Sequence, residues 1–184
     1  AVEKAIAGLL CSAIISDTLL FRSPTCTEVD RKAAMELAGI AGIRLEEYAR
    51  EMFTAGSNLK DKTDEEIFYQ DFKRFTAGKV SFGVGQISSL NEQELDSLKV
   101  RLLVYITEAH KHQRGVDMMF FMLTNILDES TMLICEGIGA KKMILGAFHI
   151  EDDGKDGRSS VVKLPGVVSL KKQLIPAIGM ALQA

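Results

Sequence analysis

Ser12-Ala-Ile-Ile-Ser-Asp17-Thr-Leu-Leu-Phe-Arg-Ser-Pro24-Thr-Cys-Thr27 sets a single carboxylate, Asp17, at the end of an apolar helix and then turns the chain sharply at Pro24, which is how a metal ligand is usually presented. Upstream, Val2 to Ser16 reads as one helix that is apolar nearly all round, the pattern of an element buried against a parallel sheet. Downstream, Thr25-Cys-Thr-Glu28 has capping-box spacing and Thr27-Glu-Val-Asp30 sets two acids in a first turn, so either threonine can open a second helix. That helix runs to about Ala38 and closes at Gly39 or Gly42. A third spans Arg44 to Ala55, with Leu45, Tyr48, Ala49, Met52 and Phe53 at helical spacing.

Beyond these helices the pattern changes. Gly56-Ser-Asn-Leu-Lys-Asp-Lys-Thr63 is polar, glycine-led and without periodicity, so the domain boundary falls there: a first domain over 1–56, a linker over 57–62 and a second domain over 63–184. Thr63-Asp-Glu-Glu66 opens a short helix with a capping box. Phe75 to Ile87 has the β-rich, glycine-punctuated character of one or two strands. Asn91-Glu-Gln-Glu94 opens a long helix whose apolar stripe is Leu95, Leu98, Leu102, Leu103 and Ile106, ending before Gly115. Met118 to Leu123 and Thr131 to Cys135 are wholly apolar runs of strand length, which marks buried central strands. Ala140 to Phe148 is helical, Glu151 to Arg158 is a charged surface turn, and Val161 to Leu164 is a strand. Ser169 caps a last helix that must kink to accept Pro176. Strands interleaved with helices give an α/β class, here a smaller α/β domain with a mixed sheet flanked by helices after the end of a larger one.

Composition removes several functions. A net charge of −3 gives no basic footprint for nucleic acid. Cys11, Cys26 and Cys135 are odd in number and lack Cys-x-x-Cys spacing, which disfavours a disulfide framework and a zinc site and favours a reducing cytoplasm. No stretch reaches the roughly 20 apolar residues that cross a bilayer. His110-Lys-His112 does not make a metal pair, because residues two apart on a helix face apart; it reads as a polar helix end. A small anionic substrate can still be held by a few well-placed lysines; read by themselves, Lys73 in Asp71-Phe-Lys-Arg-Phe-Thr76 and Lys171 in Ser169-Leu-Lys-Lys-Gln173 are solvated surface cations.

The Asp17 segment closely resembles the end of the catalytic domain of family II, manganese-dependent inorganic pyrophosphatases, hydrolases of the DHH phosphoesterase superfamily, and the likeness continues to about Ser88. The resemblance implies that Asp17 is a ligand of a dinuclear metal centre holding Mn²⁺, with Co²⁺ or Mg²⁺ as alternatives. Lys73 matches the family's substrate-binding lysine, and Lys171 the first lysine of its Ser-Arg-Lys-Lys-Gln motif. Leu170 departs from the motif's arginine, whose planar fork could grip phosphate oxygens. The family's His-x-x-x-Asp-x-Asp and Asp-His-His motifs are absent, since the histidines are His110, His112 and His149 and none follows an aspartate. The chain is therefore expected to be the C-terminal part of such an enzyme, the end of the DHH domain plus the DHH-associated domain, inactive alone and homodimeric. The implied substrate is pyrophosphate, hydrolysed to two phosphates. The rivals are an exopolyphosphatase of the same superfamily and a non-catalytic phosphate- or nucleotide-sensing module.

Overall fold

In the computed structural model, which describes residues 2–56, 59, 62–152 and 159–183, the chain divides into two units, Ala1–Asn58 and Leu59–Ala184. The first is helical: α1 spans Lys4–Thr18, α2 Glu28–Ala41 and α3 Leu45–Gly56. Of the two candidate caps, Thr27 opens α2. Its hydroxyl accepts from the Asp30 N–H, and the Asp30 carboxylate accepts from the Thr27 N–H at 2.8 Å and from its hydroxyl at 2.7 Å. Those bonds, from the hydroxyl first and then the backbone, hold the Asp30 carboxyl below its ordinary pKa. The helix closes at Gly42, which takes φ 71° and returns its N–H to Ala38 O at 2.8 Å.

The first helix, apolar nearly all round, has no sheet to cover within its own unit. Only one stripe of α1 is covered, through Ala7, Cys11, Ile15 and Thr18, at spacings of three to four residues. Ile6, Leu9 and Leu10 face away from it, and Leu9 is 72% exposed. The stripe packs with Ala34 and Ala38 of α2 and Ala49 of α3, small side chains that let helices approach closely while burying little area.

The second unit is built on a mixed five-stranded sheet in the order β1-β2-β3-β4-β5. After α4 (Asp64–Tyr69) come β1 (Lys73–Ala77), β2 (Val80–Ser89), α5 (Glu92–His112), β3 (Met118–Asn125), β4 (Ser130–Glu136), α6 (Ala140–Ala147) and β5 (Ser159–Pro165). A π-helical turn over Leu170–Leu174 then leads into α7 (Ile175–Ala181). β2 and β3 are parallel because α5 carries the chain back across the sheet; the other neighbours are antiparallel. The Thr63–Glu66 capping box and the Asn91 cap form as expected. Pro176 is accommodated at the first residues of α7, directly after the π-helical turn has broken the α spacing.

Apolar side chains fill both faces of the sheet. On one, Phe82, Val84, Phe120, Met122 and Leu133 meet Ile144 of α6 and Leu170, Leu174 and Ile178 of the C-terminal segment. On the other, Met119, Phe121 and Leu123 meet Ile67 and Phe68 of α4 and Leu95, Leu98, Leu102 and Ile106 of α5. Gly85 in β2 makes the second face possible: a Cβ there would lie 2.7 Å from the Phe121 ring and 3.2 Å from Phe68 O. The linker expected over 57–62 lies outside the described residues apart from Leu59 and Lys62, as do residues 153–158 of the charged turn.

Candidate functional site

Asp17 is exposed at the next-to-last position of α1. The sharp turn that follows is made at 19–21 rather than at Pro24. Leu19, Leu20 and Phe21 take φ of 48°, 50° and 66°, three consecutive left-handed residues where each costs about 1–2 kcal/mol. Hydrogen bonds hold the turn against that cost. The buried Thr18 hydroxyl donates to Ile14 O at 2.6 Å and accepts the Phe21 N–H at 3.2 Å. Arg31 donates to Phe21 O at 3.0 Å and lies over the Phe21 ring, 5.2 Å from its centroid. Thr25 donates to the carbonyl of Asp17 at 3.2 Å, which ties the far side of the turn to the carboxylate's own residue. No group of three or more His, Cys, Asp and Glu side chains among the described residues could hold a metal ion. Asp17 is thus at most one ligand of such a site.

Lys73 begins the edge strand β1, exposed, with its ammonium 2.5 Å from the Asp71 carboxylate. Its register partner is Val84, which pairs with Phe120, and Phe120 with Cys135. Residues directly opposite one another share a face, and Val84, Phe120 and Cys135 belong to the core under α6 and α7. Lys73 therefore lies on the face that the C-terminal segment covers. Arg74, its neighbour, turns to the other face and bonds the Gln113 side chain at the end of α5.

The Ser169–Gln173 motif is a self-locking turn. The Ser169 hydroxyl accepts the Lys172 N–H at 3.3 Å. Gln173 Oε1 accepts the N–H groups of Val168 and Ser169, each at 2.9 Å, while its Nε2 donates to Gly166 O at 2.6 Å. Leu174 and Ile175 return their N–H groups five residues back, to Ser169 O and Leu170 O, which is the π spacing. Lys171 and Lys172 stay exposed, whereas Leu170 is only 5% exposed and packs in the core beneath. Its leucine is core filling, so an arginine there could not simply be restored to a surface site. Lys73 and the turn bearing Lys171 come to one face of one sheet; Asp17 belongs to the helical unit.

Several polar residues escaped the sequence reading. Gln86, two residues beyond Val84 on the same strand, donates to Thr124 Oγ1 at 3.0 Å and to Val168 O at 3.1 Å. Thr124 bonds the Thr131 hydroxyl at 2.9 Å, and Thr131 donates to Val167 O at 2.6 Å. Polar residues inside otherwise apolar strands were the available signal. His110 stands in the last turn of α5, the polar helix end expected, and it is also tied inward: Nε2 donates to Val116 O at 2.8 Å and Nδ1 lies 3.4 Å from the fully buried Glu136, which Thr107 also bonds at 3.1 Å.

Residues 50–181 match the model of the DHHA2 domain. A Clostridium acetobutylicum protein named as a probable manganese-dependent inorganic pyrophosphatase is 41% identical over 98% of this chain and 56% of its own length. The cobalt-dependent inorganic pyrophosphatase of Clostridium perfringens is 42% identical over 96% of this chain and 31% of its own. A crystal structure of a Methanococcus jannaschii protein assigned to the family II inorganic pyrophosphatases superposes with a TM-score of 0.84 at 37% identity, over 100% of this chain and 58% of that one. The chain spans about half the length of the first of these curated relatives and a third of the second.

Proposed function

The chain belongs to the DHHA2 domain family, and on that premise we propose that it is the C-terminal part of a manganese-dependent inorganic pyrophosphatase, which hydrolyses pyrophosphate to two phosphates. Residues 1–56 are the end of its DHH-type domain and 63–184 its substrate-binding domain. The single observation that supports the assignment is that Lys73 and the turn presenting Lys171 belong to one face of one sheet, the side on which both must stand to share an anion. In the free chain Lys73 is engaged with Asp71, so an incoming phosphate exchanges one anionic partner for another.

Asp17 supplies one metal ligand from the end of α1, and the remaining ligands come from the part of the relatives that this chain does not span. Mn²⁺, or Co²⁺ as in the Clostridium perfringens relative, would supply the positive charge that activates water and offsets charge on the phosphates. The chain's own lysines bind and orient the anion. The assembled enzyme works as a homodimer in the cytoplasm, a location supported by three free cysteines. No helix among the described residues is long and apolar enough to cross a membrane.

The test is calorimetric titration of pyrophosphate into the chain. Each charge-assisted contact to a phosphate oxygen contributes about 1.5–3 kcal/mol, so Lys73→Ala or Lys171→Ala is expected to weaken binding roughly ten- to hundredfold. Unchanged affinity in both variants would remove the site. Tighter binding of tripolyphosphate than of pyrophosphate would move the assignment to an exopolyphosphatase. The chain alone, with Mn²⁺ or Mg²⁺, is expected to release no phosphate above blank, because one aspartate cannot hold a dinuclear centre.

A further inference from the structure

We propose that Gln86 is a positioning residue for phosphate binding: it sets where Lys171 stands relative to Lys73, and so fixes the span the site accepts. The inference rests on the site proposed above. It begins with the ladder. Lys73 is opposite Val84, and β1 pairs with β2 only over Val80–Val84, so β2 continues past the start of β1. Gln86 is the next residue of β2 on the face shared with Lys73. Its amide nitrogen has two hydrogens, and both are used, one on Thr124 Oγ1 and one on Val168 O. Val168 is three residues before Lys171 in a turn whose internal bonds already fix its shape. Turn geometry therefore passes from Val168 to Lys171 with little play. One side chain joins the strand beside Lys73 to the segment that carries Lys171.

The neighbouring bonds show what Gln86 adds. Thr131 also grips this segment, through Val167 O, but Thr131 is on β4, two strands from β2. Gln173 bonds Gly166, Val168 and Ser169, all within the segment itself, so it sets internal shape and not position over the sheet. Gln86 is the bond that refers the segment to β2, the strand Lys73 pairs with. Without it, the Val168 carbonyl loses a donor, and β2 holds the turn only by non-directional apolar packing of Phe82 and Val84 with Leu170 and Leu174 while Thr131 of β4 keeps its hydrogen bond. A rigid two-cation site binds an anion of matching span better than a loose one, because ordering has been done in advance.

The experiment is a double-mutant cycle on the chain, with pyrophosphate as the calorimetric probe. Gln86→Met keeps the volume and removes both donors. It is expected to weaken pyrophosphate binding five- to tenfold, and Lys171→Ala ten- to hundredfold. The double variant should bind no more weakly than Lys171→Ala by itself, because Gln86 acts through Lys171. Additive losses, or wild-type affinity in Gln86→Met beside a weakened Lys171→Ala, overturn the role of Gln86 and leave the site standing. Wild-type affinity in Lys171→Ala overturns the site instead.

A measurement without ligand decides if the chain proves too weak a binder for calorimetry. In Gln86→Met, amide exchange of Ser169 and Lys172 should quicken at least tenfold while β3 amides keep their rates; equal rates at both places would overturn the proposal. Should Gln86→Met fail to fold, Gln86→Glu, which keeps the shape and can donate neither hydrogen bond when ionised, is read by the same outcomes.

Discussion

Among the described residues the helical unit has a core of five buried residues, three of them alanine, while the sheet unit buries fifteen on one face of its sheet and fourteen on the other. The two also differ in what they leave outside. Exposed apolar side chains crowd the helical unit, with Ile6, Leu9 and Leu10 on α1 and Val29, Met35 and Ile40 on α2. Hydrophobic stabilisation scales with the apolar area removed from water, so the sheet unit supports itself and the helical unit does so only weakly. Exposed apolar sides of this kind favour association.

The comparison breaks most visibly in the cores. Phe120→Ala, in the middle of β3, is expected to cost about 3–5 kcal/mol, whereas Ile15→Ala on α1 should cost about 2, the low end for such a change, because the large side chains packed round its small cluster are only partly buried and can close onto the gap. Urea unfolding with amide exchange read separately in each unit gives both values, and an equal loss at Ile15 would undo the contrast. Next in size is Leu170→Arg. Burying a guanidinium among Leu174, Ile178 and Val167 should cost on the order of 3 kcal/mol and lower the melting temperature; full stability would show that position 170 reaches water.

Both units carry a capping box, which offers a matched pair. Thr27→Ala in the first and Thr63→Ala in the second should each cost about 1 kcal/mol. The Glu66 carboxyl, bonded first by the Thr63 N–H and then by its hydroxyl, is held below its ordinary value, as Asp30 is by Thr27. A carboxyl with a lowered folded pKa stabilises the fold above its unfolded value and loses that contribution as pH falls through the folded one. Acid titration from pH 6 to 2 should therefore diminish the difference between wild type and either Thr variant; a difference that grew on acidification would contradict the capping role. The smallest effect belongs to Leu9→Lys, which should change stability by no more than about 0.5 kcal/mol yet shift the chain toward monomer in sedimentation. Unchanged association would clear that face of α1.

What could be read in advance was what is local. Thr63 and Glu66, Asn91, and the stripe from Leu95 to Ile106 announce their helices because capping and periodicity act within one or two turns. The α1 stripe could not be read, since Ile6, Leu9 and Leu10 are as apolar as Ile15 and only packing tells them apart. Ser169 was legible as a helix cap, but the burial of Leu170 was not, because it depends on strands far away in the chain. Gln86 was the least visible. Its bond to Val168 joins residues 82 positions apart, and nothing near Gln86 in sequence marks it as different from a polar residue on a strand.

The π spacing of Leu170–Leu174 makes this stretch unusually intolerant of a change in length. A π turn is an α-helix with one surplus residue. Deleting a residue here would let the segment relax toward ordinary helix, short only of the bond that Pro176 cannot donate, so the chain could still fold. Each residue of an α-helix turns the side-chain direction by about 100°, however, and the loss would swing the lysines around the axis relative to Leu174 and Ile178. A one-codon deletion could thus preserve stability while redirecting both lysines.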